Sequence, residues 1–263
     1  MNDMSVSLGI ENYYEIYGEG QPILFIHGSY ASTSTWKKLV EELSKNHKCI
    51  LFKLPGHCGL PDPVDFDKPT VKTEFALLDG IIQKECPQGF HLVGHSYGGV
   101  VALALALEQI WPVLGMTLYE PVSTWVLDLV QEKKALQLLR DFLNDYIPKA
   151  KQGMPVGGDV IDFWCHAPVF NHFPEGVREQ LLLLQKNNLR HWSICTQASY
   201  NQDNLNALSI PVSLVVGSES SPVAHAIIHA LEHLLPSAEA RCIQGANHLL
   251  VTTHKDACLA AMW

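Results

Sequence analysis

Gly94-His95-Ser96-Tyr97-Gly98 is the segment best equipped for chemistry, a G-x-S-x-G directly after the apolar run His91 to Val93 and before a helical stretch. A serine at the apex of a tight strand-to-helix turn needs small neighbours, because the backbone there is strained and close to other chains. Gly94 and Gly98 supply that room. The following helix N-terminus would offer an N–H and a positive dipole to developing negative charge. A second segment, Pro22-Ile-Leu-Phe-Ile-His27-Gly28-Ser29-Tyr30, ends an apolar strand in His-Gly. A tetrahedral intermediate needs two N–H donors aimed at its oxygen, and these are assigned to the backbones of Tyr97 and Ser29, with Tyr30 as the alternative to Ser29. The His27 side chain is expected to tie that loop together. A third segment, Gln244-Gly-Ala-Asn-His248, follows the last expected strand and provides the general base, His248. His95 is expected to pack under the serine turn, and His254 falls in the next helix.

The elements that must position these groups follow from hydrophobic patterning. Expected strands are Val6 to Ile10, Tyr13 to Tyr17, Ile23 to Ile26, Cys49 to Phe52, His91 to Val93, Gly115 to Tyr119, Val212 to Val216 and Arg241 to Ile243. The later ones are apolar throughout and alternate with helices, as in a mostly parallel sheet covered on both faces. Helices are expected at Thr35 to Ser44, Lys72 to Lys84, Tyr97 to Gln109, Pro222 to Leu235 and Leu249 to Ala261. Between Glu120 and about Asn206 the alternation gives way to amphipathic helical stretches such as Val126 to Ile147 and Gly176 to Asn187. That division predicts a core domain of residues 1–120 and 207–263 and a helical lid of residues 121–206. Trp125, Phe163, Trp164, Phe170, Phe173 and Trp192 lie in this middle segment, either as its own core or lining an apolar pocket.

In this order the three motifs make the chain resemble proteins of the α/β-hydrolase fold, of the lid-bearing esterase and lyase type. The likeness runs from PILFIHGS through GHSYGG to QGANH. It implies an eight-stranded, mostly parallel sheet with a helical lid inserted after the sixth strand, and a Ser, acid, His triad in that chain order. Such proteins commonly carry Gly-x-x-Asp after the seventh strand, whereas this chain reads Val216-Gly217-Ser218-Glu219-Ser220-Ser221, with Ser220 at the aspartate position. Other relatives, including haloalkane dehalogenases, carry the acid after the sixth strand, where this chain has Leu118-Tyr119-Glu120-Pro121. Glu120 is therefore assigned as the acid, with Glu219 or a Ser–His dyad as alternatives. Serine at position 96 sets the chain apart from the dehalogenases and epoxide hydrolases of this fold, which place aspartate there. The resemblance implies a serine hydrolase acting through an acyl-enzyme on Ser96, with a small or medium apolar carboxylic ester or thioester as substrate. A carbon–carbon bond hydrolase or lyase, or a small-ligand receptor using the same pocket, are the alternatives.

Composition narrows the partners. The 263 residues are 47% hydrophobic and 17% charged, which excludes a disordered or fibrous chain. A formal charge of -9, with 18 Lys plus Arg against 27 Asp plus Glu and no dense basic run, disfavours nucleic acid and anionic membranes. The seven cysteines form no C-x-x-C pair, and the N-terminal MNDMSVSLGI has neither a cationic start nor an apolar block. Reduced thiols, no signal peptide and a cytoplasmic location are expected. His225, His229 and His233 recur at four-residue spacing, but the apolar residues of that helix occupy its other side, so a solvated face is expected rather than a metal site. No cofactor is implied, and the expected partner is a small acyl substrate.

Overall fold

The computed structural model describes residues 8–197 and 200–262. In chain order the elements are β1 (Tyr14–Tyr17), β2 (Gln21–Ile26), α1 (Lys37–Leu43), β3 (His47–Phe52), α2 (Lys72–Glu85), β4 (Phe90–His95), α3 (Tyr97–Glu108) and β5 (Val113–Tyr119). Six helices follow: α4 (Val126–Leu129), α5 (Lys133–Lys151), α6 (Gly157–Cys165), α7 (Glu175–Leu182), α8 (Gln185–Cys195) and α9 (Gln202–Asn206). The chain then completes β6 (Val212–Gly217), α10 (Pro222–Leu234), β7 (Ala238–Ile243), α11 (Leu250–Thr253) and α12 (Lys255–Ala260). No strand interrupts the run from α4 to α9 among the described residues.

The strands form one sheet in the order β1-β3-β2-β4-β5-β6-β7, in which only β1 runs antiparallel to its neighbour. Side chains alternate between the two faces, as a two-residue period demands. Leu24, Ile26, Ile50, Phe52, Leu92 and Leu118 join Phe75, Val101 and Ile227 of α2, α3 and α10 in one core. Ile23, Phe25, Cys49, Leu51, Val93 and Tyr119 join Leu39, Leu250 and Cys258 of α1, α11 and α12 in the other. Burial on both faces explains why these strands read as continuous apolar runs.

The parallel register brings the carboxyl ends of β2, β4, β5 and β6 to one rim. Ile26 pairs with Gly94, His95 with Tyr119, and Tyr119 with Val215. The loops leaving those ends carry the serine, glutamate and Ser29 segments, which is where ligands meet open parallel sheets.

Several expectations need correction, among them the stretch Gly176 to Asn187, which is divided between α7 and α8. The first expected strand, Val6 to Ile10, begins outside the described residues, and its described end belongs to no strand. A 3-10 turn occupies Ile10–Tyr13, and Asn12 donates to the Gly9 carbonyl through both its backbone (3.1 Å) and its side chain (3.0 Å). The sheet therefore has seven strands rather than eight among the described residues, and the helical insertion follows the fifth of them. The expected helix Leu249 to Ala261 is two, because His254 leaves helical geometry at φ −124° and ψ 51°. The expected helix Val126 to Ile147 is also two, broken where Gln131 adopts φ 54° and the Glu132 carboxylate caps the Ala135 amide. Among the described residues no helix is long and apolar enough to cross a membrane.

Candidate active site

Ser96 sits between β4 and α3 at φ 55°, ψ −123°, a left-handed conformation costly for a residue with a side chain. Neighbouring backbone over-determines it. The Ser96 N–H donates to the Tyr119 carbonyl at 3.1 Å, and its carbonyl accepts from Gly99, Val100 and Val122. The flanking glycines are required by close approach: a Cβ at Gly98 would collide with the Ile26 carbonyl, and one at Gly94 would lie 2.5 Å from the Gly98 carbonyl.

His248, in the loop between β7 and α11, presents Nε2 to Ser96 Oγ at 3.1 Å and Nδ1 to Glu120 Oε2 at 2.6 Å. Its ring stacks on Trp164 of α6 and lies 4.9 Å, centre to centre, from His95. His95 is turned under the loop, with Nε2 bonded to the His248 carbonyl at 2.9 Å. Burial holds the His95 imidazole far below its ordinary range, to about 3, and thus neutral.

Glu120 follows β5 at φ 45° and is only 1% exposed. Its other oxygen, Oε1, accepts from the Gly217 N–H at 2.7 Å and the Ser220 hydroxyl at 2.5 Å. Ser220, where the resemblance implies aspartate, thus donates to a carboxylate that arrives from the neighbouring strand. Glu219 is exposed, its backbone N–H bonded to the Ala246 carbonyl, and the structure does not bring its side chain to the histidine. Ser96, Glu120 and His248 are brought together.

Tyr97 opens α3, so its N–H has no intrahelical acceptor. Among the described residues no acceptor takes the Ser29 amide either. Gly28 packs against the Ser96 side chain and carries the Ser29 loop to the same place. His27 holds this loop. Its Nε2 accepts from the Leu54 N–H at 3.3 Å, and its Nδ1 donates to the Gly28 carbonyl at 2.8 Å. Burial keeps His27 neutral, at about 3. Tyr30, whose backbone is the alternative to Ser29, also lines the cavity, and its hydroxyl bonds with that of Tyr146 of α5 at 3.2 Å.

These groups open on a cavity of about 780 Å³ between the sheet rim and the α4–α9 segment. Val160, Ile161, Trp164, Leu184 and Trp192 give it an apolar wall. Asp62 is the one carboxylate lining it among the described residues, and no lysine or arginine does so. Of the aromatics singled out in the sequence, Trp164, Phe173 and Trp192 line the cavity, whereas Phe163 stacks on Phe142 within the helical layer. His229 and His233 lie exposed on the outer side of α10, with His225 half-buried.

Sequence reasoning missed α8. Asn187, Asn188, Arg190 and His191 are all buried, and three of them line or support the cavity wall. The signal was present as four polar residues on one side of a helix that otherwise offers Leu189, Trp192 and Ile194. Arg190 binds Asp65 (2.6 Å) and Glu74 (2.6 Å), and Glu74 accepts from the Tyr97 hydroxyl at 3.0 Å.

A parallel sheet in this order, with a serine on a strained strand-to-helix turn and a histidine after the last strand, defines an α/β-hydrolase fold. Residues 23–261 match the alpha/beta hydrolase family, and the chain belongs to it. It is an enzyme of the hydrolase type. The chain is similar to the pimeloyl-acyl-carrier-protein methyl ester esterase of Aeromonas hydrophila, with 26% identity over 95% of each chain. Its match to the Aeromonas salmonicida protein of that name is 31% identical but spans 40% of this chain and 37% of the other. The enol-lactonase of Burkholderia xenovorans LB400 superposes with a TM-score of 0.70 at 17% identity, covering 94% of this chain and 93% of that one, a likeness of fold.

Proposed function

We propose that the chain is a serine hydrolase of small or medium, uncharged apolar carboxylic esters or thioesters. The observation that carries this reading is the continuous relay from Ser96 Oγ through His248 to Glu120 at the base of an apolar cavity. His248 Nε2 takes the Ser96 proton as Oγ attacks the acyl carbon, and the Ser29 and Tyr97 amides receive the oxyanion. His248 then returns that proton to the leaving group, and the ester on Ser96 remains. Water, deprotonated by the same nitrogen, releases the acid. Glu120 fixes the imidazole with its proton on Nδ1 and stabilises the transient imidazolium without taking the proton. The segment from α4 to α9 acts as a lid that shapes the acyl pocket, and the absence of lysine and arginine from its lining among the described residues favours neutral acyl chains. The names of the esterase relatives agree with this chemistry.

The test is hydrolysis of p-nitrophenyl esters of increasing acyl length, together with labelling by a fluorophosphonate. Ser96→Ala is expected to fold, to take no label and to lose about 10⁴-fold or more in kcat. Undiminished hydrolysis in that variant would sink the proposal. Turnover of a diketone without any ester hydrolysis would replace it with carbon–carbon cleavage.

A further inference from the structure

An oxyanion site works only if its amides are held about 2.7–3.1 Å from where the negative oxygen forms. Tyr97 is fixed by α3, but Ser29 lies in an irregular loop between β2 and a 3-10 turn that begins at Thr33. His27 and His57 bind the backbone of that loop, and α8 grips the Ser29 side chain. Asn188 Nδ2 donates to Ser29 Oγ at 2.9 Å, and Asn188 Oδ1 accepts from the Tyr146 hydroxyl at 2.8 Å, which fixes the amide's orientation. Ser29 Oγ also lies 2.7 Å from His191 Nδ1, and with the His191 proton on Nε2 the hydroxyl donates to that nitrogen. Burial keeps the His191 imidazole neutral, as this acceptor role requires. The Ser29 carbonyl receives the His57 Nε2–H at 2.6 Å. The same His191 ring lies flat on the Tyr97 ring, 3.7 Å between centres and 9° from parallel. One helix of the insertion therefore touches both cavity-lining residues assigned to the oxyanion site.

We propose that His191 and Asn188 are positioning residues that set the oxyanion site through the Ser29 hydroxyl, and that α8 is a fixed wall of the active site rather than a moving part of the lid. This rests on the hydrolase reading above. Neither side chain needs to touch substrate for the effect; an amide rotated out of line loses transition-state stabilisation while leaving ground-state binding to the apolar wall.

His191→Phe keeps a ring against Tyr97 and removes the acceptor, whereas His191→Asn returns an acceptor oxygen near the Nδ1 position and removes the ring. With p-nitrophenyl butyrate, His191→Phe is expected to lower kcat by about 10–100-fold with KM changed less than about threefold. Inhibition by a butyl trifluoromethyl ketone, which forms a tetrahedral adduct on serine, should weaken by the same factor. His191→Asn should recover most of kcat. Ser29→Ala removes this hydrogen bond together with the one from Asn188 and should lose at least as much, and the double variant should be no slower than Ser29→Ala alone. Wild-type kcat in His191→Phe, losses that multiply with Ser29→Ala, or a His191→Asn variant as slow as His191→Phe would each overturn the proposal. If His191→Phe does not fold, Ser29→Ala decides alone, and full kcat in it overturns the proposal. A wild-type protein that hydrolyses no ester and takes no fluorophosphonate label would instead remove the underlying hydrolase reading.

Discussion

Replacing Glu120 with glutamine tests the relay through its proton positions. Oε1 faces two donors, the Gly217 N–H and the Ser220 hydroxyl, while Oε2 faces only His248 Nδ1. In Glu120→Gln the amide oxygen must stay with the two donors, since an NH₂ there would oppose both of them. The NH₂ then points at Nδ1 and can only donate. His248 must accept at Nδ1 and carry its proton on Nε2, 3.1 Å from Ser96 Oγ, where it can no longer receive one. A serine triad locked in that tautomer loses about 10⁴ in kcat, equivalent to about 5.5 kcal/mol of transition-state stabilisation. Because the side chains are isosteric, the fold and KM should be preserved. Glu219→Gln, altering an exposed side chain, should be indistinguishable from wild type. Steady-state ester hydrolysis beside a thermal melt measures all of this. A Glu120→Gln protein retaining more than about a tenth of wild-type kcat, or a larger loss in Glu219→Gln, would refute the tautomer argument.

Two further outcomes concern stability. Although burial pushes Asp65 upward, the Arg190 guanidinium pulls it down to about 2, and the same guanidinium pairs with fully buried Glu74. Arg190→Met should therefore cost about 3–5 kcal/mol in urea unfolding, because it strands buried carboxylates; a loss below 1 kcal/mol, with Asp65→Asn and Glu74→Gln unchanged as well, would contradict that. His27 and His95 are held neutral, near 3, in the fold but protonate near 6.5 when unfolded. The unfolded chain then binds more protons from about pH 6.5 down to about 3, so stability is complete above 6.5 and falls with acid. The fall is at most about 2.7 kcal/mol per pH unit for the pair, and a urea midpoint unchanged between pH 7 and 5 would count against it.

Much of the fold was legible because buried parallel strands announce themselves as apolar runs, as in Ile23–Ile26 and Val212–Val216. Ser96 and Glu120 were legible because each closely follows such a run, and His248 because it lies in the short loop after the last expected strand. The break at His254 was not, since no glycine or proline marks it. The grip of α8 on Ser29 was invisible for a different reason. Those partners are separated by 159 and 162 residues, and a polar stripe on a helix does not name what it will bond. Ser220 sat in plain view as a departure from the common pattern, but its use as a donor to Glu120 needed the two strands side by side.

The residue immediately after β5 is at once the proposed acid of the relay and the root from which the helical layer grows, with Pro121 seated against Gly99 of α3. Anyone grafting a cap from another enzyme onto this scaffold thus has a crossover rule. A splice placed before position 120 imports whatever the donor carries there and silences the recipient, however well the transplanted helices dock. A splice placed after Pro121 leaves the proton relay with the sheet and makes the cap exchangeable, provided that its inner helix still supplies partners for Ser29.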